Sequence, residues 1–312
     1  MPFEKKDILD MDSLDPDEIS LILDTAEGMK EISERPVKKV PTLRGKTIVL
    51  FFQEPSTRTK LSFDTAAKRL SADSISISKS TSSIVKGETL IDTAKNLEAM
   101  KPDVIVIRHP SSGAPYLIAK RVRCSVINAG DGIHAHPSQA LLDMMSVREK
   151  KGRIDGLKIS IIGDIAHSRV ARSGITGFSK MGAAVSVCAP HTMIPMGIER
   201  LGCSISPTIE ACLENADVIM MLRIQKERQG NILFPTEREY AALFGLNRER
   251  LALAKEDAVI MHPGPMNRGV EIASEIADSS RSIILEQVTN GVALRMALFY
   301  LTAGGSRYAD SD

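Results

Sequence analysis

Short apolar runs separated by stretches of helical period make up most of the chain. The runs are Thr47-Ile48-Val49-Leu50-Phe51-Phe52, Val104-Ile105-Val106-Ile107 and Ser125-Val126-Ile127-Asn128, then Lys158 to Asp164, Val185 to Cys188, Val218 to Leu222 and Ala258 to Met261. Continuous rather than alternating apolar character predicts strands of a parallel sheet buried on both faces, because crossover helices cover each side. The intervening helical patterns include Ile19 to Met29, entered through the acid-rich start Asp12-Ser13-Leu14-Asp15-Pro16-Asp17-Glu18, and Leu61 to Leu70. One long helical pattern runs from Ala140 through Leu141, Leu142 and Met145 to the basic end Lys150-Lys151-Gly152, after which the strand–helix series restarts at Leu157. This reads as an α/β chain of two doubly wound domains, each a mostly parallel sheet flanked by helices, with the boundary near residues 136–150. The first would take residues 1–135 plus the C-terminal helical stretch within 291–312, and the second residues 136–290. Asp73 to Ser83 is rich in serine and poor in hydrophobic residues, and together with Val85-Lys86-Gly87-Glu88-Thr89 it is expected to be an exposed, mobile loop.

Composition narrows the function classes. At 312 residues, 43% hydrophobic and 25% charged, the chain is a globular one with room for two ordinary cores. A formal charge of +1 argues against nucleic-acid and membrane-surface roles, which normally need a basic face. No stretch approaches the roughly 20 apolar residues of a membrane span, and the opening Met1-Pro2-Phe3-Glu4-Lys5-Lys6 lacks the apolar core of a signal peptide. Cys124, Cys188, Cys203 and Cys212 show no paired metal-ligand spacing and sit mostly in apolar surroundings, which suits free thiols in a reducing compartment. The expectation is a cytoplasmic protein with no metal.

The chemistry gathers after the strands. Ser56-Thr57-Arg58-Thr59 follows the first apolar run across a turn at Pro55 and opens a helix. A helix start presents unpaired N–H groups and the positive end of the macrodipole, so two further hydroxyls and a guanidinium fork make it a phosphate cradle. The plainer alternative is an ordinary hydroxyl cap beside a solvated arginine. The turn carries no glycine, so it is neither a Walker loop nor a dinucleotide fingerprint. Arg108-His109-Pro110 ends the second run; Asn128-Ala129-Gly130-Asp131-Gly132 and His134-Ala135-His136-Pro137-Ser138-Gln139 end the third. Parallel strands put such ends on one rim, where ligands of open α/β sheets sit. Gly163-Asp164 also ends a strand, but without Gly-x-Gly-x-x-Gly it does not support a nucleotide site.

In order along the chain, Ser56-Thr57-Arg58-Thr59, Lys86-Gly87-Glu88-Thr89, Arg108-His109-Pro110, His136-Pro137-Ser138-Gln139 and His262-Pro263-Gly264-Pro265 together resemble the aspartate/ornithine carbamoyltransferase family over nearly the whole length. Arg223-Ile224-Gln225-Lys226-Glu227-Arg228 is similar to the aspartate-binding segment of its aspartate-specific members, and the Ser-Met-Gly and His-Cys-Leu-Pro segments typical of ornithine enzymes are missing. Guanidinium groups suit a side-chain carboxylate, whereas a cationic ornithine would need acids. The resemblance implies transfer of the carbamoyl group of carbamoyl phosphate to the amino group of L-aspartate, an early step of pyrimidine biosynthesis, without a cofactor, in a cleft between the two domains.

By the same resemblance, Ser56, Thr57, Arg58 and Thr59 hold the phosphate, and Thr59, Arg108 and His136 face the carbonyl oxygen. Gln139 and the backbone around Pro263, Gly264 and Pro265 hold the carbamoyl nitrogen. Arg169, Arg223 and Gln225 bind aspartate, and Glu54 bridges to Arg169 and Arg228 when the domains close. Ser82 and Lys86 are implied to reach the active site of a neighbouring subunit, which makes a homotrimer the smallest complete catalyst, alone or in a larger assembly with regulatory or dihydroorotase-like chains. Some members carry Leu where this chain has Gly264, and a backbone contact tolerates the change. The competing readings are another acceptor such as ornithine, a silent scaffold relative, and a nucleotide-dependent enzyme, the last disfavoured by the missing glycine fingerprint.

Overall fold

The computed structural model describes residues 3–78, 88–225 and 236–304. The chain divides into two compact units, residues 1–141 with 289–312 and residues 142–288.

In the first unit, α1 (Pro16–Glu34) leads to β1 (Thr47–Phe52), α2 (Thr57–Arg69), β2 (Asp73–Ser78), α3 (Leu90–Ala99), β3 (Val104–His109), α4 (Ala114–Ala119) and β4 (Ser125–Asp131). The four strands form a parallel sheet in the order β2-β1-β3-β4. Val49, Phe51, Ile105 and Ile107 point to one face and bury Ala94, Leu97 and Ile118 of α3 and α4 beneath them. Removing such a side chain from water contributes about 1.5–3 kcal/mol each. The helix α2 buries Thr59, Phe63, Ala66 and Ala67, one stripe at the three-to-four spacing that its sequence carries. The Phe63 ring meets Phe299 at 5.7 Å and lies under the Arg295 guanidinium at 4.8 Å, so the C-terminal stretch packs onto α2.

The second unit follows α5 (Pro137–Lys151), within which the chain leaves the first. It contains β5 (Lys158–Ile162), α6 (Arg169–Lys180), β6 (Ala184–Cys188), β7 (Cys203–Ile205), α7 (Ile209–Leu213), β8 (Val218–Met221), α8 (Glu237–Phe244), α9 (Arg248–Leu251), β9 (Val259–Met261) and α10 (Ser274–Ala277). The chain returns to the first unit within α11 (Ile284–Phe299). Its sheet is again parallel, ordered β7-β6-β5-β8-β9. Ile162, Ile219, Met221 and Ile260 form a core with Leu213, Leu246 and Ile276.

Three elements differ from the sequence reading. Asp73–Ser78, expected as a mobile loop, is β2, paired along its length with β1 from Thr47↔Asp73 to Phe52↔Ser78. It is an edge strand whose residues are exposed or half-buried, so serine can fill it without cost, and only its Ser/Ile alternation marked it as a strand. The short edge strand β7 escaped notice for the same reason. The final helix also begins at Ile284, earlier than the Gly291 expected, and continues into a π-helical turn at Tyr300–Gly304.

Candidate active site

In the first sheet the chain runs from β1 to β2 on one side and then crosses to β3 on the other. This change of direction opens a crevice at the carboxyl ends of β1 and β3. The two ends are tied by Gln53 N–H donating to the Arg108 carbonyl at 2.8 Å. The Arg108 guanidinium donates to Glu54 Oε1 at 3.2 Å and to the Ala129 carbonyl at 3.2 Å, so the fork is oriented by two partners. From β1 the chain turns into α2. Ser56 is its N-cap, with extended backbone at φ −164°, yet its side chain makes no capping hydrogen bond, and the first turn contains no acid. Thr59 is buried on the core side of the helix while Thr57 and Arg58 are exposed at its mouth. A cavity of about 750 Å³ opens there, lined by Phe52, Glu54, Pro55, Ser56, Thr57 and Lys60 among others.

The end of β4 lies next to that of β3 in the sheet. His136 is 3% exposed and precedes α5, and its carbonyl receives the N–H groups of Gln139 and Ala140 at 3.0 and 3.2 Å. Ser138 Oγ lies 3.4 Å from His136 Nδ1. A hydroxyl donating to Nδ1 leaves the ring proton on Nε2, the tautomer required of a hydrogen-bond donor. Gln139 is buried on the first turn of α5. His134, assigned no role from sequence, pairs with the buried Asp131 at 3.1 Å.

The second sheet changes direction between β5 and β8. Leu222 N–H donates to the Ile162 carbonyl, bringing the two strand ends together. Gly163 lies against them at φ +135°, where a Cβ would stand 2.6 Å from the Leu222 carbonyl oxygen, so only glycine fits. Asp164 is fully buried and serves as a bracket: its Oδ1 accepts from His167 N–H and Nδ1 at 3.2 and 2.8 Å, and its Oδ2 from Gln225 N–H at 3.3 Å. Gln225 Nε2 in turn donates to the His167 carbonyl at 3.0 Å. Ser168 caps α6 by accepting from Ala171 N–H, and Arg169 is the first helical residue, 4% exposed. Arg223 is half-buried between β8 and Gln225.

The His262-Pro263-Gly264-Pro265 turn is held from inside the same unit. His262 Nδ1 accepts from Gly264 N–H at 2.9 Å, which leaves Nε2 to donate to Glu271 Oε1 at 3.2 Å, and both side chains are fully buried. Gly264 has φ +65°, a left-handed conformation that glycine adopts without strain. Cys188, Cys203 and Cys212 are buried and free, and burial pushes Cys188 up to about 12 and Cys203 to about 11. They are therefore neutral thiols near neutral pH. Among the described residues no three His, Cys, Asp or Glu side chains gather as a metal site would require.

Residues 6–149 match the family model described as "Aspartate/ornithine carbamoyltransferase, carbamoyl-P binding domain", and residues 155–302 match the one described as "Aspartate/ornithine carbamoyltransferase, Asp/Orn binding domain". The chain belongs to the aspartate/ornithine carbamoyltransferase family. A relative from Desulforapulum autotrophicum named aspartate carbamoyltransferase catalytic subunit is 78% identical over 311 residues, covering 100% of each chain. One of the same name from Desulfosudis oleivorans is 66% identical over 309 residues and 99% of each. Among solved structures, ornithine carbamoyltransferase from Pyrococcus furiosus superposes with a TM-score of 0.88 at 29% identity, covering 98% of this chain and 99% of that one. Aspartate transcarbamoylase from Trypanosoma cruzi in complex with N-(phosphonacetyl)-L-aspartic acid gives 0.84 at 28%, covering 96% of each.

Within this family member, Glu54, Ser56, Thr57, Arg58, Thr59, Arg108, His136 and Gln139 all lie at strand ends or helix starts of the first unit. Arg169, Arg223, Gln225, Pro263, Gly264 and Pro265 do so in the second. Ser82, Lys86 and Arg228 lie outside the described residues. Sequence reasoning gave Asp131 no role of its own and weighed Asp164 only as part of a strand end that does not support a nucleotide site. Their only signal was an acid next to glycine shortly after an apolar run, which many turns share.

Proposed function

We propose that this chain transfers the carbamoyl group of carbamoyl phosphate to the amino group of L-aspartate, giving N-carbamoyl-L-aspartate and phosphate. The observation that carries the choice of acceptor is the end of β8. Arg223 and Gln225 stand there beside Asp164, whose carboxylate is already occupied by His167 and Gln225. With that buried acid spent on scaffolding, the charged side chains assigned to the acceptor at this end are the guanidinium groups of Arg169 and Arg223, which suit a dicarboxylate and not a cation. The names of the 59–78% identical relatives agree. The Pyrococcus structure shows that ornithine enzymes share this fold, so the fold alone does not select the acceptor.

In this reading Ser56, Thr57, Arg58 and Thr59 bind the phosphate at the uncapped start of α2. Thr59, Arg108 and His136 donate to the carbonyl oxygen as the aspartate nitrogen attacks the carbonyl carbon. The C–O bond to phosphate then breaks, phosphate leaves with the bonding pair, and it carries off the amine proton. No covalent intermediate with the enzyme forms, so orientation and charge stabilisation supply the rate. Gln139 and the Pro263–Pro265 backbone orient the carbamoyl nitrogen, and Arg169, Arg223 and Gln225 hold aspartate. Glu54 and Arg228 serve closure of the two units. The catalyst is cytoplasmic and works for pyrimidine synthesis. Offering aspartate, ornithine and N-acetylornithine side by side with carbamoyl phosphate tests this: carbamoyl product from aspartate is expected, and product from ornithine instead would overturn the acceptor.

The working unit is a homotrimer in which Ser82 and Lys86 complete a neighbour's site. Support comes from the surface beside α2, where the cavity runs on past Leu61 and the edge strand β2 leaves Ile75 uncovered, 59% and 47% exposed. Mixing Lys86→Ala protein with Arg58→Ala protein under subunit exchange is expected to restore measurable turnover, because some sites then draw both residues from intact parents. Two inactive parents that stay inactive when mixed would count against shared sites.

A further inference from the structure

We propose that Asp131 is a positioning residue that sets the two donors assigned to the carbonyl oxygen, Arg108 and His136, at their working separation. The proposal deepens the carbamoyl-transfer reading and rests on it. Asp131 is fully buried, and four donors converge on its carboxylate. Oδ1 accepts from Asn128 Nδ2 at 2.8 Å and Ala135 N–H at 3.1 Å, Oδ2 accepts from Gly113 N–H at 2.7 Å, and His134 Nδ1 reaches both oxygens at 3.3 and 3.1 Å. These donors come from three segments: the loop after β3, the end of β4 and the turn into α5.

Each segment bears on a donor to the substrate. The residue before His136 is clamped in both directions, since Ala135 N–H donates to Asp131 Oδ1 and the Ala135 carbonyl accepts from Asp131 N–H at 3.1 Å. On the other side, β3 and β4 slip register between Ile107↔Asn128 and His109↔Asp131, so β4 carries one extra residue there. That bulge presents the Ala129 carbonyl to Arg108 Nη1 at 3.2 Å. The Asn128 side chain holds the bulge, accepting from Gly130 N–H at 2.8 Å while donating to Asp131 and to the Leu9 carbonyl, each at 2.8 Å. Gly113 N–H and the Gly132 N–H bond to the His109 carbonyl at 2.9 Å fasten the chain just beyond Arg108 to the same corner.

Charge is part of the device. Burial alone would raise the Asp131 pKa, but the bonds from His134, Asn128 and Gly113 outweigh it and hold the carboxyl below the usual carboxylate range. The hydrogen bond to Asp131 holds His134 above the ordinary imidazole value against its own partial burial. An amide in place of the carboxylate has one acceptor oxygen, and its NH₂ group would face the N–H of Gly113 or of Ala135. Shape is kept, but one of the two segments loses its anchor.

The test is steady-state kinetics on Asp131→Asn beside the parent, with titration of inorganic phosphate as a readout of the α2 site, which Asp131 does not touch. A displacement near 1 Å of a donor is expected to lower kcat by about 100-fold, while phosphate affinity stays within about threefold, a difference near the net worth of one hydrogen bond. A kcat close to that of the parent overturns the proposal, as does a parallel loss of phosphate affinity, which would mean a general structural role. If Asp131→Asn does not fold, His134→Ala decides, because this partly exposed side chain supplies one donor. About a fivefold fall in kcat with phosphate binding kept supports the proposal, and unchanged kcat overturns it. A folded, phosphate-binding parent that fails to carbamoylate aspartate would instead remove the reading on which the proposal rests.

Discussion

The starts of α1 and α2 lie in the same unit and are built to opposite ends. At α1, Asp15 Oδ1 accepts from Glu18 N–H at 2.8 Å and Glu18 Oε2 accepts from Asp15 N–H at 3.0 Å, with Pro16 and two acids in the first turn. The box satisfies the Glu18 and Asp15 N–H groups, Pro16 has no N–H to satisfy, and the acids offset the positive end. At α2 the cap residue Ser56 makes no side-chain capping bond, no acid stands in the first turn, and Arg58 and Lys60 add positive charge to an end that is already positive. By the rules that stabilise α1, this is a poor helix start. The sheet and the Phe63 face hold α2 in place regardless, and among the described residues its cap side chain makes no capping bond, which suits the proposed anion site. On the proposed function, one helix end is finished internally and the other is left for a ligand, and tertiary packing makes the second choice affordable.

The comparison can be broken most decisively at Arg58. Arg58→Ala is expected to lower kcat with carbamoyl phosphate and aspartate by about 100- to 1,000-fold. It should also abolish the stabilisation by inorganic phosphate, which in the parent amounts to about 2.7 kcal/mol at 100 times the dissociation constant. Without phosphate, the variant should unfold no more easily than the parent, and removing a cation from the positive helix end could return about 0.3–1 kcal/mol. A clear loss of stability in denaturant melts would make Arg58 structural and erase the contrast. Asp15→Ala sharpens the same contrast at the smaller end of the scale. It should cost about 1 kcal/mol of stability and leave turnover and phosphate affinity unchanged; altered kinetics would show that α1 is not a purely structural start.

Much of the architecture was legible in the sequence because buried parallel strands and helix stripes leave local marks. The runs at Thr47–Phe52, Lys158–Ile162 and Ala184–Cys188 are strands to within a residue or two of where the pattern puts them. Their side chains must be apolar wherever both sheet faces are covered. Ser56 to Thr59 at a strand-to-helix turn was legible for a related reason, as the residue types match the unpaired N–H groups of any helix start. Asp73–Ser78 was not, because an edge strand needs neither continuous burial nor apolar residues. Its pairing partner β1 decides it, and that partner is more than 20 residues away.

What the chain by itself determined is therefore the buried strands and the striped helices, together with the hydroxyl, guanidinium and imidazole side chains at their ends, all of which depend on a residue and its near neighbours. Only the tertiary structure decided the strand orders β2-β1-β3-β4 and β7-β6-β5-β8-β9, and with them which strand ends adjoin a crevice. It alone made Asp164 a bracket for Gln225, and Asp131 the point where three separate segments meet. The physical reason is that a buried carboxylate takes its meaning from the donors that surround it, and those donors come from residues whose nearness exists only once the sheets have formed.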